Sequence, residues 1–387
     1  MPSSITLFRR AALCVAIFIP AQAAAHTAQA GSPDTHGRIA YGVVSTSDAM
    51  ADLSGGVRRG ALVMHNLDLT AGWQGEDGWS AFGYVLGDIN GGFSGKYAGD
   101  AQVVSNIDAT PGLRLFEAYV KKTSADRKAS LSVGMINLNG VFDVQDVGAL
   151  FLNASHGIGP DYSQAGPSIF PISALGAIGE WRFTDHLGVR AGVFDGVPGD
   201  AEDDRKFAYV RLAKDEGAHI VAEGEYDFSG GLVKLGHWTA TLAAPAIDGS
   251  GVRRPQGSYA QLQFTLVKGR TDDTGVHGWL RLGAADGAVL GLDRYAGGGV
   301  VMTGLPGRDD DMAGFAIARA HWGAPSRALA GGPVAAETTF EFTYRAAVRP
   351  GLSLQPDLQY VVHPGGRHDV GNAVVLALRV KIDFLAN

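Results

Sequence analysis

The chain has 387 residues, 18% of them charged, and a net charge of −7, which excludes a basic nucleic-acid surface as its organising feature. Its single cysteine, Cys14, excludes a disulfide scaffold or a thiolate metal centre. No composition shift or block of like charge divides it, so a single domain is expected over 31–387.

The chain opens with Arg9-Arg10, an apolar stretch from Ala11 to Pro20, and A-x-A choices at Ala21-Gln22-Ala23 and Ala23-Ala24-Ala25. This is the pattern of a secretory signal peptide, assigned to 1–25 with cleavage between 23 and 30. The apolar stretch is too short to span a bilayer. Leu13 before Cys14 is not the small residue of a lipoprotein site, so Cys14 leaves with the leader. Beyond it, no apolar run approaches the ~20 residues of a membrane helix.

From there on the period is two. Strands are predicted near 38–46, 60–72, 79–88, 112–122, 129–138, 174–183, 187–195, 206–212, 217–228, 231–243, 256–267, 275–284, 294–302, 312–322, 336–345, 351–362 and 373–384. Ala260, Leu262, Phe264 and Leu266 alternate with Tyr259, Gln261, Gln263 and Thr265. Val374, Leu376, Leu378, Val380, Ile382 and Phe384 alternate with Ala373, Val375, Ala377, Arg379, Lys381 and Asp383. One face is greasy and the other small, polar or charged. A soluble sandwich also alternates. The leader, a last strand reaching aromatic Phe384 near the C-terminus, and Glu and Arg on the polar faces favour a lipid-spanning barrel. Single-chain bacterial barrels have even strand numbers, so one of the seventeen candidates is surplus. The weakest patterns are 38–46 and the glycine-rich 294–302. The fold class is therefore all-β, a transmembrane antiparallel β-barrel of about 16 strands, wide enough for an aqueous channel.

The stretch Asn153 to Pro171 has neither period and is rich in Gly, Pro, Ser and Asn. It reads as a long shaped loop constricting the channel. Pro356 falls inside a predicted strand, where it removes a ladder hydrogen bond.

Enzyme motifs are absent: no G-x-S-x-G, H-E-x-x-H or P-loop occurs. His363 and His368 bracket Pro364-Gly365-Gly366 and read as a turn rather than a metal pair. Asp309-Asp310-Asp311 reads as a solvated loop, and Asp100, Asp108, Asp143 and Asp146 as ordinary loop acids. Charge on a lipid face is costly, so Glu117, Glu180, Arg182, Arg190, Glu223, Glu225, Arg281, Glu341 and Arg345 are expected to face the lumen. There they either stiffen the wall as ion pairs or present donors and acceptors to a solute. Arg58-Arg59, just before a strand, are candidates for the same lining. Of the six Trp residues, most are expected in interfacial girdles. Trp279, alternating with His277 and Arg281, is the candidate to face the lumen and stack on a solute there.

Several blocks resemble one family. GIGPDYSQ, GPSIFPISALG and AGVFDGVPGD within Gly148 to Asp200 resemble the central signature of the carbohydrate-selective porins of bacterial outer membranes, the OprB family. Gly99 to Val120, Asn66 to Trp73, and Ala336 to Gly366, Pro356 included, resemble further blocks in order. Arg58-Arg59 match a basic stretch of the family. The chain departs at its end, where Leu385-Ala386-Asn387 follow Phe384 instead of stopping on the aromatic. The resemblance implies passive, sugar-preferring diffusion of small hydrophilic solutes by a monomer, without cofactor, catalysis or energy coupling. Expected partners are small sugars, outer-membrane lipids with lipopolysaccharide, and the barrel-assembly machinery. A general or anion-favouring porin, a barrel enzyme such as a lipid hydrolase, and a structural surface barrel are the alternatives.

Overall fold

The computed structural model describes residues 37, 39–200, 205–271, 274–329 and 331–385; the expected signal peptide lies outside them. Alternating segments become strands wherever Gly, Asp or Asn turns interrupt them. The strands are β1 (Ile39–Gly56), β2 (Gly60–Gln74), β3 (Trp79–Ile89), β4 (Gly112–Thr123), β5 (Ala129–Ile136), β6 (Ala174–Arg182), β7 (Leu187–Asp195), β8 (Ala218–Phe228) and β9 (Gly231–Ala240). After the two-residue strands β10 (Ala244–Pro245) and β11 (Val252–Arg253) come β12 (Gln256–Lys268), β13 (Gly275–Ala285), β14 (Leu292–Leu305), β15 (Arg308–Trp322), β16 (Glu337–Arg349), β17 (Leu352–Val362) and β18 (Gly371–Asp383). All except β10 and β11 join into one closed antiparallel barrel of sixteen strands, with β18 returning to β1. Closure leaves no open sheet edge in lipid.

The connections are unequal. Short turns at 75–78, 124–128, 183–186, 229–230, 306–307 and 350–351 share one end with the start of β1 and the end of β18. Longer segments, 90–111, 137–173, 196–217 and 241–255, leave from the other end. Among the described residues, no helix is long and apolar enough to cross a membrane.

The faces follow the alternation. Leu235, Leu282, Phe315, Phe342, Leu358, Leu376 and Leu378 are exposed on the outside. Tyr259, Gln261, Gln263, Glu341, Gln359 and Ala377 are buried inside. At the short-turn end Tyr41, Trp73, Trp79, Trp181, Tyr226 and Phe384 stand exposed as an aromatic rim. Trp238, Trp279 and Trp322 point inward and are buried, so only half of the Trp residues serve the girdle.

The surplus strand is 206–212, not either of the weakest patterns. The described part of 38–46, from Ile39 on, and 294–302 are ordinary wall strands within β1 and β14. The 206–212 segment belongs to the connection 196–217, and the Phe207 carbonyl accepts the Leu115 N–H at 2.6 Å. It lies against an edge that β5 leaves free: β4 pairs with β5 only from Ala118 to Thr123, because the chain turns into the barrel after Ile136. Asp309 to Asp311 are also not a loop. They open β15, and Asp311 is buried, bonded by Arg308 and Tyr344. Pro356 faces outward in β17; pairing with β16 is interrupted between Asp357 and Leu354, where its missing N–H falls.

Candidate functional site

The barrel interior is organised by two inward-folded connections, and the inner-face charges divide according to what they do for them. The first is the segment 137–173 between β5 and β6, which is longer than the 153–171 stretch read as loop from composition. Glu117 Oε1 accepts the Asn137 N–H at 3.0 Å where the segment turns inward. Arg190 Nη1 donates to the Val141 carbonyl at 2.8 Å. Glu223 Oε2 accepts the Asp143 N–H at 2.9 Å and the Tyr259 hydroxyl at 2.6 Å. Lys234 donates to the Val144 carbonyl at 3.0 Å, and Gln263 accepts the Val147 N–H at 3.0 Å. Across the lumen, Glu341 accepts the Leu152 N–H, and Gln359 accepts Asn153 Nδ2 at 3.1 Å. The wall holds this loop mainly by its backbone, so the side-chain sequence of the loop gives little sign of the docking.

Arg281 is the central anchor. It is fully buried, and its Nε and Nη2 donate to Asp143 at 2.8 and 2.7 Å while Nη1 donates to Asp161 at 2.7 Å. Tyr259 and Tyr295 place their rings 5.5 and 5.2 Å from the guanidinium. Two glycines make room for it. A Cβ on Gly283 would lie 2.0 Å from Asp161 Oδ2, and one on Gly159 would lie 1.9 Å from Arg281 Nη1. Beside it, Tyr162 from the four-residue helix Pro160–Ser163 stacks on Trp238 at 4.7 Å and 5°, and its hydroxyl meets His219 Nε2 at 2.9 Å. Asp143, read from sequence as a loop acid, is thus a buried counter-ion 138 residues from its partner. Nothing local to either residue encodes the pair.

Apolar residues on the inner face have the same explanation. Ile178 and Phe194 share a face with Glu180 and Arg190, and they pack with Phe142 and Tyr162 of the loop. The inner row Gly314, Ala316, Ala318 and Ala320 on β15 is buried; a Cβ on Gly314 would lie 2.8 Å from the Phe151 ring. Trp279 is 3% exposed, edge-on to His156 at 5.3 Å between rings. Its face is covered by the loop rather than open to a passing sugar. Burial pushes the His156 imidazole down to about 3. It is therefore neutral at ordinary pH, and its 3.4 Å approach to Glu341 is not a charged pair.

The remaining candidates grade from buried Glu223 to exposed Arg182. Glu180, Arg190 and Glu223 are direct cross-strand partners across β6, β7 and β8. Lys121 donates to Glu180 at 2.7 Å, Arg182 to Glu225 at 3.1 Å and to Asp227 at 2.9 Å, and Arg190 to Glu225. The result is a mixed-sign ladder whose exposure grows towards the short-turn end, Arg182 being 44% exposed. Arg58 and Arg59 lie away from it, exposed in the turn between β1 and β2, with Arg58 4.9 Å over the Tyr97 ring.

The second inward connection is 90–111, whose inward course no periodicity in the sequence marks. Glu337 accepts the N–H groups of Ala101 at 2.8 Å, Gln102 at 3.0 Å and Gly365 at 2.6 Å. Arg379 pairs with Asp48 at 2.7 Å and reaches Asn106 at 2.8 Å, and Ser105 donates to Asp48 at 2.7 Å. The polar-side positions of Arg379 and Glu337 in their strands were the available signal. Elsewhere, His363 and His368 meet edge-on at 5.0 Å.

The family model described as "Carbohydrate-selective porin, OprB family" matches residues 67–384. Among solved structures, the chain is similar to the high-pH structure of Pseudomonas putida OprB, with a TM-score of 0.79 at 19% identity over 89% of this chain and 94% of that one. The low-pH structure of the same protein gives a TM-score of 0.58 at 14% identity over 89% and 92%. The outer membrane channel DcaP of Acinetobacter baumannii gives 0.58 at 9% identity over 92% and 99%. At these identities the structures speak for the fold. No curated protein matches the chain.

Proposed function

The chain belongs to the carbohydrate-selective porins of the OprB family, and we propose on that premise that it passes small hydrophilic solutes passively, with a preference for sugars, across the bacterial outer membrane. The observation that carries the reading is a closed sixteen-stranded barrel with a polar inner face, narrowed by a loop fastened inside it. A neutral sugar both donates and accepts hydrogen bonds, and a ladder of mixed sign offers both. A ring of one sign would select ions instead. Passage then needs weak binding at a narrow polar waist, strong enough to enter and weak enough to leave.

Among the lining candidates, Glu180 and Arg182 suit solute contact through their exposure, and Glu225 through its bonds to Arg182 and Arg190. Glu117, Arg190, Glu223, Trp279 and Arg281 suit shaping the waist, and Arg58 and Arg59 suit its entrance. Export by the signal peptide, insertion by the barrel-assembly machinery among lipopolysaccharide, and a monomeric state complete the proposal. Family and fold point to a channel rather than an enzyme. The test is planar-bilayer conductance of the refolded protein titrated with several sugars. Saturable block by sugars is expected. Conductance without block would leave a general porin, and no conductance would overturn the channel.

A further inference from the structure

The outer surface departs from its apolar pattern near the long-loop end of β14 and β15. Arg294 and His321 are direct cross-strand partners, and Arg319 pairs with Ala296, two residues nearer the membrane centre. Tyr295, Ala320 and Trp322 are buried on the inner face, so Arg294, Arg319 and His321 point outward by alternation. Arg294 is 68% exposed. Arg319 is also exposed, and its guanidinium donates to Thr338 Oγ1 at 3.0 Å. Asp293, at a bulge in β14, sits 2.7 Å from His321 Nδ1 and 3.6 Å from Arg294 Nε. It offsets one charge, and Arg319 has no carboxylate at ion-pair distance among the described residues. Towards the membrane centre the same face turns to Leu282, Val300, Phe315 and Ile317.

We propose that Arg294 and Arg319 form a binding site for the phosphate of a phosphorylated lipid headgroup in the outer leaflet. An arginine facing lipid is tolerated near the interface and costly deeper, and both lie within the last turns of wall before the long-loop, outward end. Their positions are diagonal on adjacent strands, about 7–8 Å apart, close enough for two long side chains to converge on one phosphate. Guanidinium forks match phosphate oxygens. The short-turn end carries exposed aromatic Tyr41, Trp73, Trp79 and Trp181, with Lys122 lying 4.9 Å over the Trp79 ring. A molecule whose two rims differ in this way suits a membrane whose two leaflets differ in headgroup.

The inference rests on the outer-membrane setting but not on sugar selectivity. The mature barrel in detergent would be titrated with bis-phosphorylated lipid A, with lipid A stripped of its phosphates, and with inorganic phosphate, binding being read by native mass spectrometry. Wild type should bind the phosphorylated lipid, and R294Q/R319Q should bind it five- to tenfold more weakly, while conductance and sugar block stay at wild-type values. The two single variants give the same reading if the double variant does not fold, folding being judged by heat-modifiable migration. Equal binding by wild type and variants, equal binding of the dephosphorylated lipid, equal competition by inorganic phosphate, or an effect on self-association alone would each overturn the site. A channel that conducts no solute but binds the lipid would instead sink the transport reading and leave this one standing.

Discussion

Arg281 is fully buried between two carboxylate partners, so its loss leaves Asp143 and Asp161 buried without their counter-ion. Breaking a buried pair from one side costs roughly 3–5 kcal/mol. Arg281→Ala is therefore expected to release the inward loop, with a larger and noisier single-channel conductance and a lower temperature for the heat-induced gel shift. Gly283→Ala should act in the same direction without removing a charge, because the new Cβ would collide with Asp161. The ladder residues should behave differently. Arg190→Ala is expected to shift selectivity towards cations and Glu223→Ala towards anions, each weakening sugar block. A charged hydrogen bond is worth about 1.5–3 kcal/mol when desolvated and less in a wet channel. Both also hold the loop backbone, so conductance should rise as well. Arg182→Ala, farther from the loop, should move selectivity and sugar block without raising conductance. Reversal potentials and sugar titrations separate these outcomes.

At the scale of elements, the segment 137–173 is a fixed strut. Its backbone is bonded to β7, β8, β9, β12 and β16, and its carboxylates to β13. Deleting Ser155 to Gly166 removes Asp161 and Tyr162, and with them one partner of Arg281 and the stack on Trp238. Conductance should rise and sugar block weaken while the barrel still closes, since no wall strand is touched. Unchanged conductance in a folded deletion would place the waist at the 90–111 connection. The 206–212 segment shows why a two-residue period is not sufficient for a strand. Phe207-Ala-Tyr-Val-Arg-Leu212 alternates well, but β7 and β8 are already paired with one another along their length, so it stays in their connection and meets the free stretch of β4 through the Phe207–Leu115 bond instead of entering the wall.

Over the whole molecule, closure is the condition for existing in lipid. Lys381, Ile382 and Asp383 pair with Thr46, Ser45 and Val44 of β1. Truncation after Val380 removes that seam and exposes unpaired backbone. Assembly is expected to fail, seen as loss of the heat-modifiable band. Cys14 is the single cysteine of the chain and falls in the proposed signal peptide, so a Cys14→Ser background suits labelling. A cysteine at Ser250, in the 241–255 connection, should react with a membrane-impermeant thiol reagent in intact cells, and one at Asp126, in a short turn, should not. The reverse pattern would invert the barrel and place the Arg294–Arg319 site in the wrong leaflet.

The period-two pattern determined that the chain is all-β and, taken with the leader and the cost of charge against lipid, pointed to a barrel with Glu117, Arg190, Glu223 and Arg281 facing inward. A side chain's face in a strand is a local property, set by alternation and by the cost of charge against lipid. The use of those charges was decided in three dimensions. Whether Arg281 lines a pore or clasps a loop depends on Asp143 and Asp161, brought to it across the lumen by closure of the barrel. The same holds for the small row Gly314 to Ala320 and for the buried Trp279. They look like gaps and a platform in sequence and become the seat of a loop once the wall curves round to meet it. Backbone groups of that loop make most of the contacts, and backbone groups are alike in every sequence, so only the tertiary structure could tell a strut from an open lining.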